Sequence, residues 1–298
     1  MIYQHKVSST ITPSLLSYLP YSLPLLGRLE NSQRSSASLI LATFPESSSG
    51  PYGLFTAAYI DQSRRRESQA WFFCSAGELE LKVAKTQMRD MLSYIKSRQP
   101  EPTQGRDEDK EETLLIIASL NSLLVNVVQD ICTAGGVRLS QEFMKYLFHH
   151  SPPPPPPSQI VDGLEFGELR PEDMGRVIAT SSIRRHKDTL LLLKNVALFK
   201  VTGDERIPIA WAFIGFDGSL ATWWVEREWR ARGCGTAVAR KVMQHWRNGS
   251  NEGNLALWGH ADVAVDNWTS RRGMVGLGGV EGWIVRWLYV DLNGLGNK

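Results

Sequence analysis

The sequence predicts a mixed α/β fold in two halves, and three observations support this. A run of six prolines interrupts the chain within Ser151–Gln159. On both sides of it, short runs of β-branched and aromatic residues alternate with segments whose apolar residues recur at helical spacing. After the prolines, three such strands come first and a strand–loop–helix–strand unit follows. This order indicates a twisted mixed sheet flanked by helices on its faces.

The first half, residues 1–150, is expected to be an α/β domain without an obvious chemical motif. The expected strands are Ser36–Phe44, Gly53–Asp61, Ser68–Ser75 and Glu112–Leu120. The expected helices are Glu80–Ser97 and a segment within Asn121–Gly136 that two glycines end.

The second half, residues 160–298, has a clearer order of elements. It begins with a strand and a turn, in which Pro171 marks the start of a helix. The expected helices are Met174–Ser181, Lys187–Asn195, one that begins near Thr236, and Trp268–Gly279. The expected later strands are Ala197–Val201, Ile207–Phe216, Leu220–Glu226, Asn254–Asn267 and Glu281–Leu292.

The prolines themselves, in residues 151–159, indicate a linker between the halves. Consecutive prolines lack N–H donors and favour extended polyproline II, so they cannot lie in a helix or a central strand. A semi-rigid spacer is the simpler interpretation. The alternative is a proline-rich ligand for an SH3-type partner, although the flanks add no Arg or Lys anchor.

Composition excludes several classes of protein. The formal net charge of +2 over 298 residues gives no reason to expect a nucleic-acid or membrane partner. Three scattered cysteines, Cys74, Cys132 and Cys234, are too few for a disulfide framework or a zinc site, so no metal cofactor is expected. The first residues lack the pattern of a signal peptide, and no apolar run approaches the roughly 20 residues of a transmembrane helix. A reducing, cytoplasmic location is expected.

The loop between the strand that ends near Val225 and the following helix is the strongest functional signal. Gly233 and Gly235 let the backbone curl tightly and approach a ligand closely. Backbone N–H groups and the positive end of the helix dipole then meet at one point, which suits a phosphate or pyrophosphate. The loop has neither the Lys-Ser/Thr of a P-loop nor a Gly-x-Gly-x-x-Gly spacing, which disfavours a nucleoside triphosphatase and a Rossmann site.

The pattern Arg230-x-x-Gly233-x-Gly235-x-Ala237 after a strand resembles the acyl-CoA-binding motif of the GNAT N-acyltransferase superfamily. Residues Asp262–Gly279 resemble the later strand–helix signature of that superfamily, an Asn followed by a Ser and ending in Leu-Gly. The preceding hairpin is similar to the glycine N-acyltransferase-like branch. The resemblance implies a GNAT domain in residues 160–298 and a degenerate second GNAT-like unit in residues 1–150.

The resemblance also implies which residues hold acyl-CoA or acetyl-CoA as the co-substrate. The loop would cradle the pyrophosphate mainly through backbone N–H groups, strand backbone would pair with the pantetheine arm, and the later helix would contact that arm. The implied residues are Val225, Arg230, Arg232, Gly233, Cys234, Gly235, Thr236, Ala237, Asn267 and Ser270.

A base is useful because an amine arrives protonated and must lose a proton to attack a thioester. Glu226 is the first candidate, with Glu228 and His260 as alternatives. Each has an ordinary alternative interpretation, as a solvated carboxylate near a strand end or as a structural histidine. Cys234 is expected to be a small loop residue and not a nucleophile.

Two positions depart from the family pattern. Many GNAT enzymes carry a tyrosine four residues after the helix serine, where this chain has Met274. The residue after Leu277-Gly278 is usually aromatic, and here it is Gly279. Protonation of the leaving thiolate by that tyrosine is therefore excluded, whereas binding of acyl-CoA is not.

The sequence thus predicts an acyl-CoA-dependent N-acyltransferase that acts on a small-molecule amine by direct attack. The alternative is a GNAT-fold protein without acyl transfer. Such a protein would be either a binding module or an enzyme that reuses the pocket for chemistry independent of CoA.

Overall fold

The computed structural model describes residues 1–48, 50–63, 67–99, 114–149, 163–181, 185–249 and 257–296. The chain divides into two compact units, Met1–Met144 with Trp283–Lys298, and Lys145–Gly282. Most of the last strand, from Trp283 onward, thus falls in the first unit, whereas the sequence assigns the whole strand to the second domain. The predicted linker at 151–159 lies outside the described residues, and the domain boundaries drawn at it stay a prediction.

The first unit contains two short helices, two longer helices and most of one sheet. Its strands are β1 (Tyr3–His5), β2 (Leu39–Ala42), β3 (Thr56–Ile60), β4 (Ala70–Cys74), β5 (Leu115–Asn121) and β6 (Val137–Leu139). Its helices are α1 (Thr12–Leu16), α2 (Leu23–Glu30), α3 (Leu81–Lys96) and α4 (Ser122–Ile131). Strand β7 (Phe143–His149) begins in this unit and continues into the second.

The sheet of the first unit runs in the order β1-β2-β3-β4-β5-β13, in which β13 (Val280–Val290) is the last strand of the chain. All of these neighbours are antiparallel except β4 and β5, which are parallel. Helix α3 packs against the sheet through Met88, Met91, Leu92 and Ile95, all at most 1% exposed. These four residues recur at helical spacing and form the buried face of the helix that the sequence predicts over Glu80–Ser97.

The second unit carries a separate antiparallel sheet in the order β11-β10-β9-β8. Its strands are β8 (Leu164–Gly167), β9 (Asn195–Thr202), β10 (Glu205–Ile214), β11 (Leu220–Val225) and β12 (Trp258–Ala264). Its helices are α5 (Met174–Thr180), α6 (Lys187–Leu192), α7 (Cys234–Gly249) and α8 (Trp268–Gly276). Strand β12 is the sheet neighbour of β7.

One face of β9 and β10 forms the core of the second unit together with α5 and α6. The buried residues of this cluster are Leu169, Met174, Val177, Leu190, Leu193, Ala197, Phe199, Trp211 and Phe213. Trp224 of β11 packs at the edge of the same cluster. This apolar cluster fixes the position of β11 and thus of the loop that follows it.

Both units repeat one order of elements, which is a strand, two helices, three strands, a helix, a strand and a helix. In each unit the strand before the long helix meets the strand after it at a parallel pair, Ala70 opposite Ile117 and Ser219 opposite His260. The predicted mixed α/β class with a mixed sheet and flanking helices is confirmed.

Some boundaries and elements differ from the sequence prediction. Helix α7 begins at Cys234, two residues before the predicted Thr236, and α5 begins at Met174, three residues after Pro171. Strands β1, β6 and β7 and the helices before residue 31 were not predicted. Strands β1 and β6 and helix α1 have only three to five residues, too few for hydrophobic periodicity to indicate a helix or a strand.

Candidate functional site

Strand β11 contains a β-bulge. Ala210 of β10 lies opposite Val225 and Trp211 lies opposite Trp224, but Phe213 lies opposite Ala221. Two residues of β11, Thr222 and Trp223, therefore stand against one residue of β10. Thr222 has a φ of +48°, in the left-handed region that β-branched residues rarely adopt. Such a bulge leaves backbone groups outside the ladder and is common beside functional sites.

The loop after β11 turns twice through left-handed backbone before α7 begins. Ala231 has a φ of +60° and Gly233 a φ of +80°. The first bond of the α7 ladder runs from the Ala237 N–H to the Gly233 carbonyl, at 3.0 Å. The Ala237 N–H is thus used inside the helix. The N–H groups of Cys234, Gly235 and Thr236 begin the helix, where they have no intrahelical acceptor and can receive an anion.

Two exposed arginines flank this helix start. Arg230 donates from Nε to the Val225 carbonyl at 3.1 Å, and its guanidinium lies 5.0 Å from the centre of the Trp224 ring. The Arg232 guanidinium lies 5.3 Å from the Trp229 ring. The aromatic rings hold the two cations near the loop, which strengthens its positive potential.

Cys234 is 4% exposed at the first position of α7. Burial raises the pKa of the Cys234 thiol above its usual range, and a hydrogen bond and Arg232 offset this only in part. The thiol therefore stays protonated, which fits the prediction that it is not a nucleophile.

Glu226 follows β11 directly, and its side chain is 23% exposed. Its Oε1 lies 3.2 Å from Arg176 Nη1 of α5, and its Oε2 accepts a hydrogen bond from Trp224 Nε1 at 3.4 Å. Both carboxylate oxygens thus have a fixed donor, and both keep lone pairs for a further donor. Glu228 lies two residues on, in the short 3-10 turn Arg227–Trp229, and is exposed.

His260 lies in a buried polar cluster of the second unit, with 2% of its surface exposed. Its Nε2 donates to the Asp217 carbonyl at 3.0 Å, so Nδ1 carries the lone pair and faces Lys145 Nζ at 3.3 Å. Lys145, fully buried on β7, also contacts Asp262 Oδ1 at 2.6 Å. Because both ring nitrogens are engaged and buried, these contacts favour a structural role for His260 over the predicted role as a base.

Burial and the Lys145 charge lower the pKa of His260 below its ordinary value of 6.5. The pKa of Asp217 is also lowered. Burial would raise it, but His260, the Ser219 hydroxyl and Lys145 together stabilise the carboxylate more strongly. The Ser219 hydroxyl donates to Asp217 Oδ1 at 2.6 Å. The lowered pKa of His260 favours the neutral imidazole, whose Nδ1 faces Lys145 Nζ.

The start of α8 carries the other two predicted residues. Asn267 is the N-cap of this helix, and its side-chain oxygen accepts from the Ser270 N–H at 3.1 Å. Asn267 is exposed and Ser270 is half-buried. Asn267 therefore caps α8, while cofactor contact by Asn267 or Ser270 stays a prediction.

The two departures from the family pattern have a packing explanation. Met274 is 3% exposed, so its side chain belongs to the core. A Cβ atom at Gly279 would lie 2.8 Å from the Phe148 ring and 2.9 Å from the Met274 carbonyl oxygen. Any side chain at position 279 would therefore displace Phe148 of β7.

The corresponding loop of the first unit has different chemistry. Between β4 and α3 it contains no arginine, and the Gly77 N–H donates to Glu80 Oε2 at 3.0 Å. Glu78 and Glu80 form the 3-10 turn that leads directly into α3. Carboxylates thus occupy the helix N-terminus, where a phosphate would be repelled.

Three contributors to the site were not recognised from the sequence. Arg176 is the partner of Glu226, Lys145 is the centre of the buried cluster, and the Trp223 indole donates to the Gly235 carbonyl at 2.9 Å. Each pairs with a residue distant in the chain, and no local pattern signals such a pair.

In the part of the chain that the structure describes, no group of three or more His, Cys, Asp or Glu side chains is placed to hold a metal ion. Over the same ranges, no helix combines the length and the apolar character needed to span a bilayer.

The chain is similar to known proteins at the level of family and of fold. A family model described as the acyl-CoA N-acyltransferase verG N-terminal domain matches residues 1–156. A search of curated proteins finds no significant match.

Two solved structures resemble the whole chain. A Drosophila melanogaster protein from a structural genomics consortium has a TM-score of 0.63 at 14% identity, covering 97% of this chain and 99% of that chain. A tandem GNAT protein from the clavulanic acid biosynthesis pathway, solved without AcCoA, has a TM-score of 0.50 at 12% identity, with 98% of each chain covered. The GNAT resemblance and the two-unit arrangement are confirmed, while the glycine N-acyltransferase-like branch stays a prediction.

The lowered pKa of His260 predicts a specific pH dependence of stability. The unfolded chain binds a proton at His260 below its ordinary pKa of 6.5, whereas the folded chain resists it. The free energy of unfolding should therefore fall as the pH drops below that value, by up to about 1.4 kcal/mol per pH unit. His260→Gln should flatten this slope in urea unfolding between about pH 7 and pH 5.5. His245→Gln, at an exposed position of α7, is the control and should keep it. Equal slopes for wild type and His260→Gln would contradict the assignment.

Proposed function

We propose that this chain, which belongs to the acyl-CoA N-acyltransferase verG family, transfers an acyl group from coenzyme A to an amine of a small molecule. The family model covers residues 1–156, whereas the candidate site lies in the second unit. The choice of site residues therefore depends on one observation. A bulged strand leads through an arginine-containing, left-handed loop into a helix whose first N–H groups are open.

The helix start is the proposed pyrophosphate site. The N–H groups of Cys234, Gly235 and Thr236 and the α7 dipole would face the phosphates, and Arg230 and Arg232 would add positive charge. This arrangement binds an anion through backbone groups whose geometry does not depend on particular side chains. The residues fit acyl-CoA or acetyl-CoA as the co-substrate.

The bulge in β11 is the proposed position of the thioester. A backbone N–H that is not committed to the ladder can donate to the carbonyl oxygen and stabilise the charge that develops there. The amine nitrogen attacks the carbonyl carbon, the carbon–sulfur bond breaks, and coenzyme A leaves as a thiolate. The protonated, buried Cys234 thiol supports direct transfer without an acyl-enzyme.

Glu226 is the proposed base that takes the proton from the attacking amine. Arg176 and Trp224 fix the orientation of its carboxylate, and its partial exposure leaves it open to an amine or to a bridging water. Glu228 is the alternative, since it is exposed and only two residues away. His260 is less suitable because both of its ring nitrogens are engaged.

The alternative function is a GNAT-fold protein without acyl transfer. Release of free thiol from acyl-CoA in the presence of a panel of amines supports the transferase. Binding of CoA without thiol release would support a binding module. Absence of CoA affinity in native mass spectra would support chemistry independent of CoA.

Substitution of Gly235 tests the pyrophosphate site. A Cβ atom there would lie 2.9 Å from Val225 Cγ2, so Gly235→Val should disrupt the turn and abolish CoA binding. Gly233→Val should do the same, because a φ of +80° strains any β-branched residue. The matched control is Gly175→Val on α5, where an added Cβ meets no atom within 4 Å. Calorimetry with CoA measures all three, and wild-type affinity in a folded Gly235→Val protein would contradict the site.

Substitution of Glu226 tests the base. Glu226→Gln should keep acyl-CoA affinity but lower turnover by roughly 10²-fold, the usual size of a general-base contribution. The loss should shrink at alkaline pH, where more of the amine is already deprotonated. Turnover is measured against pH for wild type, Glu226→Gln and Glu228→Gln. If Glu228→Gln shows the loss instead, the base is Glu228, and unchanged rates in both would leave proximity alone as the catalytic effect.

The stoichiometry of binding tests the difference between the units. The carboxylates at the start of α3 should prevent a phosphate from binding there, so each chain should take up one CoA. Native mass spectrometry with increasing CoA measures this, and Gly235→Val should remove the bound mass completely. A second equivalent, or binding that survives Gly235→Val, would place a site in the first unit.

A further inference from the structure

Two consecutive tryptophans of β11 point to opposite faces of the strand and have different partners. The Trp223 indole donates from Nε1 to the Gly235 carbonyl in the first turn of α7, at 2.9 Å. The Trp224 indole donates from Nε1 to Glu226 Oε2, at 3.4 Å. One strand thus contacts the phosphate-binding turn through one tryptophan and the proposed base through the next.

The partner of Trp223 is part of the proposed anion site itself. The Gly235 carbonyl and the Thr236 N–H belong to the same peptide group, and the Thr236 N–H is one of the three open donors at the helix start. A hydrogen bond to the carbonyl fixes the plane of that peptide group. It also polarises the group, which makes the N–H a better donor.

Two glycines keep the Trp223 ring in place from two helices. A Cβ atom at Gly235 of α7 would lie 3.2 Å from ring atom Cζ2 of Trp223, and a Cβ atom at Gly273 of α8 would lie 2.6 Å from ring atom Cζ3. Both edges of the indole are therefore in close contact with helix backbone. The ring cannot shift without losing the hydrogen bond or moving a helix.

We propose that Trp223 is a positioning residue for the phosphate-binding turn, which it orients through the Gly235–Thr236 peptide group. The inference rests on the proposed function, because it assigns Trp223 to the same pyrophosphate site. Trp223 governs the affinity for the phosphate-containing part of the co-substrate, while Trp224 governs turnover through the Glu226 carboxylate.

The test compares Trp223→Phe with its neighbour Trp224→Phe. Each substitution keeps an aromatic ring and removes one indole donor. Trp223→Phe should raise the Kd for CoA and the KM for acyl-CoA about tenfold, the effect of one hydrogen bond, with kcat at saturation unchanged. Trp224→Phe keeps an aromatic ring beside Arg230, so it should raise the Kd much less than Trp223→Phe does, and it should lower kcat with an altered pH profile.

A substrate without phosphates separates positioning from general loss of structure. Acyl-pantetheine lacks the pyrophosphate, so its KM should be the same for wild type and Trp223→Phe. Equal KM increases for acyl-CoA and acyl-pantetheine would show that Trp223 is merely structural. If Trp223→Phe does not fold, Gly273→Ala serves in its place, because the added methyl group displaces the ring while the indole remains.

The outcomes separate this inference from the proposed function. If wild type does not bind CoA, the proposed function fails and the role of Trp223 fails with it. If wild type binds CoA and Trp223→Phe binds it equally well, only the inference is overturned. A Kd for CoA that rises much more in Trp223→Phe than in Trp224→Phe, together with an unchanged KM for acyl-pantetheine in Trp223→Phe, supports the inference.

Discussion

Strands β11 and β12 lie in different sheets, and the candidate site depends on this separation. The two strands meet at a parallel pair between Ser219 and His260, before β11 begins. Beyond that point β11 bulges at Thr222, and the backbone there is not fully committed to a ladder. In a continuous sheet the backbone N–H and C=O groups of this segment would all form ladder hydrogen bonds with a neighbouring strand. The proposed site is built from this bulge, the loop and the helix start that follow the point where the two strands meet.

A buried set of charges holds the strands together where they meet. His260 donates to the Asp217 carbonyl, and Lys145 contacts both His260 and Asp262. Removing such charges from water costs several kcal/mol per ion, so they stabilise the fold only when each is well paired. The main effect of these contacts is on geometry. Each hydrogen bond is directional, so together they fix how β12 is aligned with the residues just before β11. These contacts explain why His260, one of the two alternatives to Glu226 as the base, is buried inside the protein.

The sequence predicted the local features of the site and missed the distant ones. The strand, the glycine loop and the helix of residues 220–249 follow from periodicity and turn residues, which act over a few positions. The side of β11 that each tryptophan faces does not follow, because the bulge at Thr222 shifts the alternation of side chains. Arg176 and Lys145 were missed for a related reason, since each pairs with a residue 50 or 117 positions away. Fold class was therefore predictable, while the partners of Glu226 and His260 were not.

Helix α8 shows how packing restricts the chemistry that is available. Gly279 leaves room for Phe148, and the Met274 side chain is buried in the core. An aromatic residue at position 279 would displace Phe148, and Met274 has no hydroxyl group with which to protonate a thiolate. The proposed base is therefore sought on β11 and the segment that follows it, where Arg176 and Trp224 hold the Glu226 carboxylate. On this proposal the base and the phosphate-binding turn belong to one continuous stretch of chain.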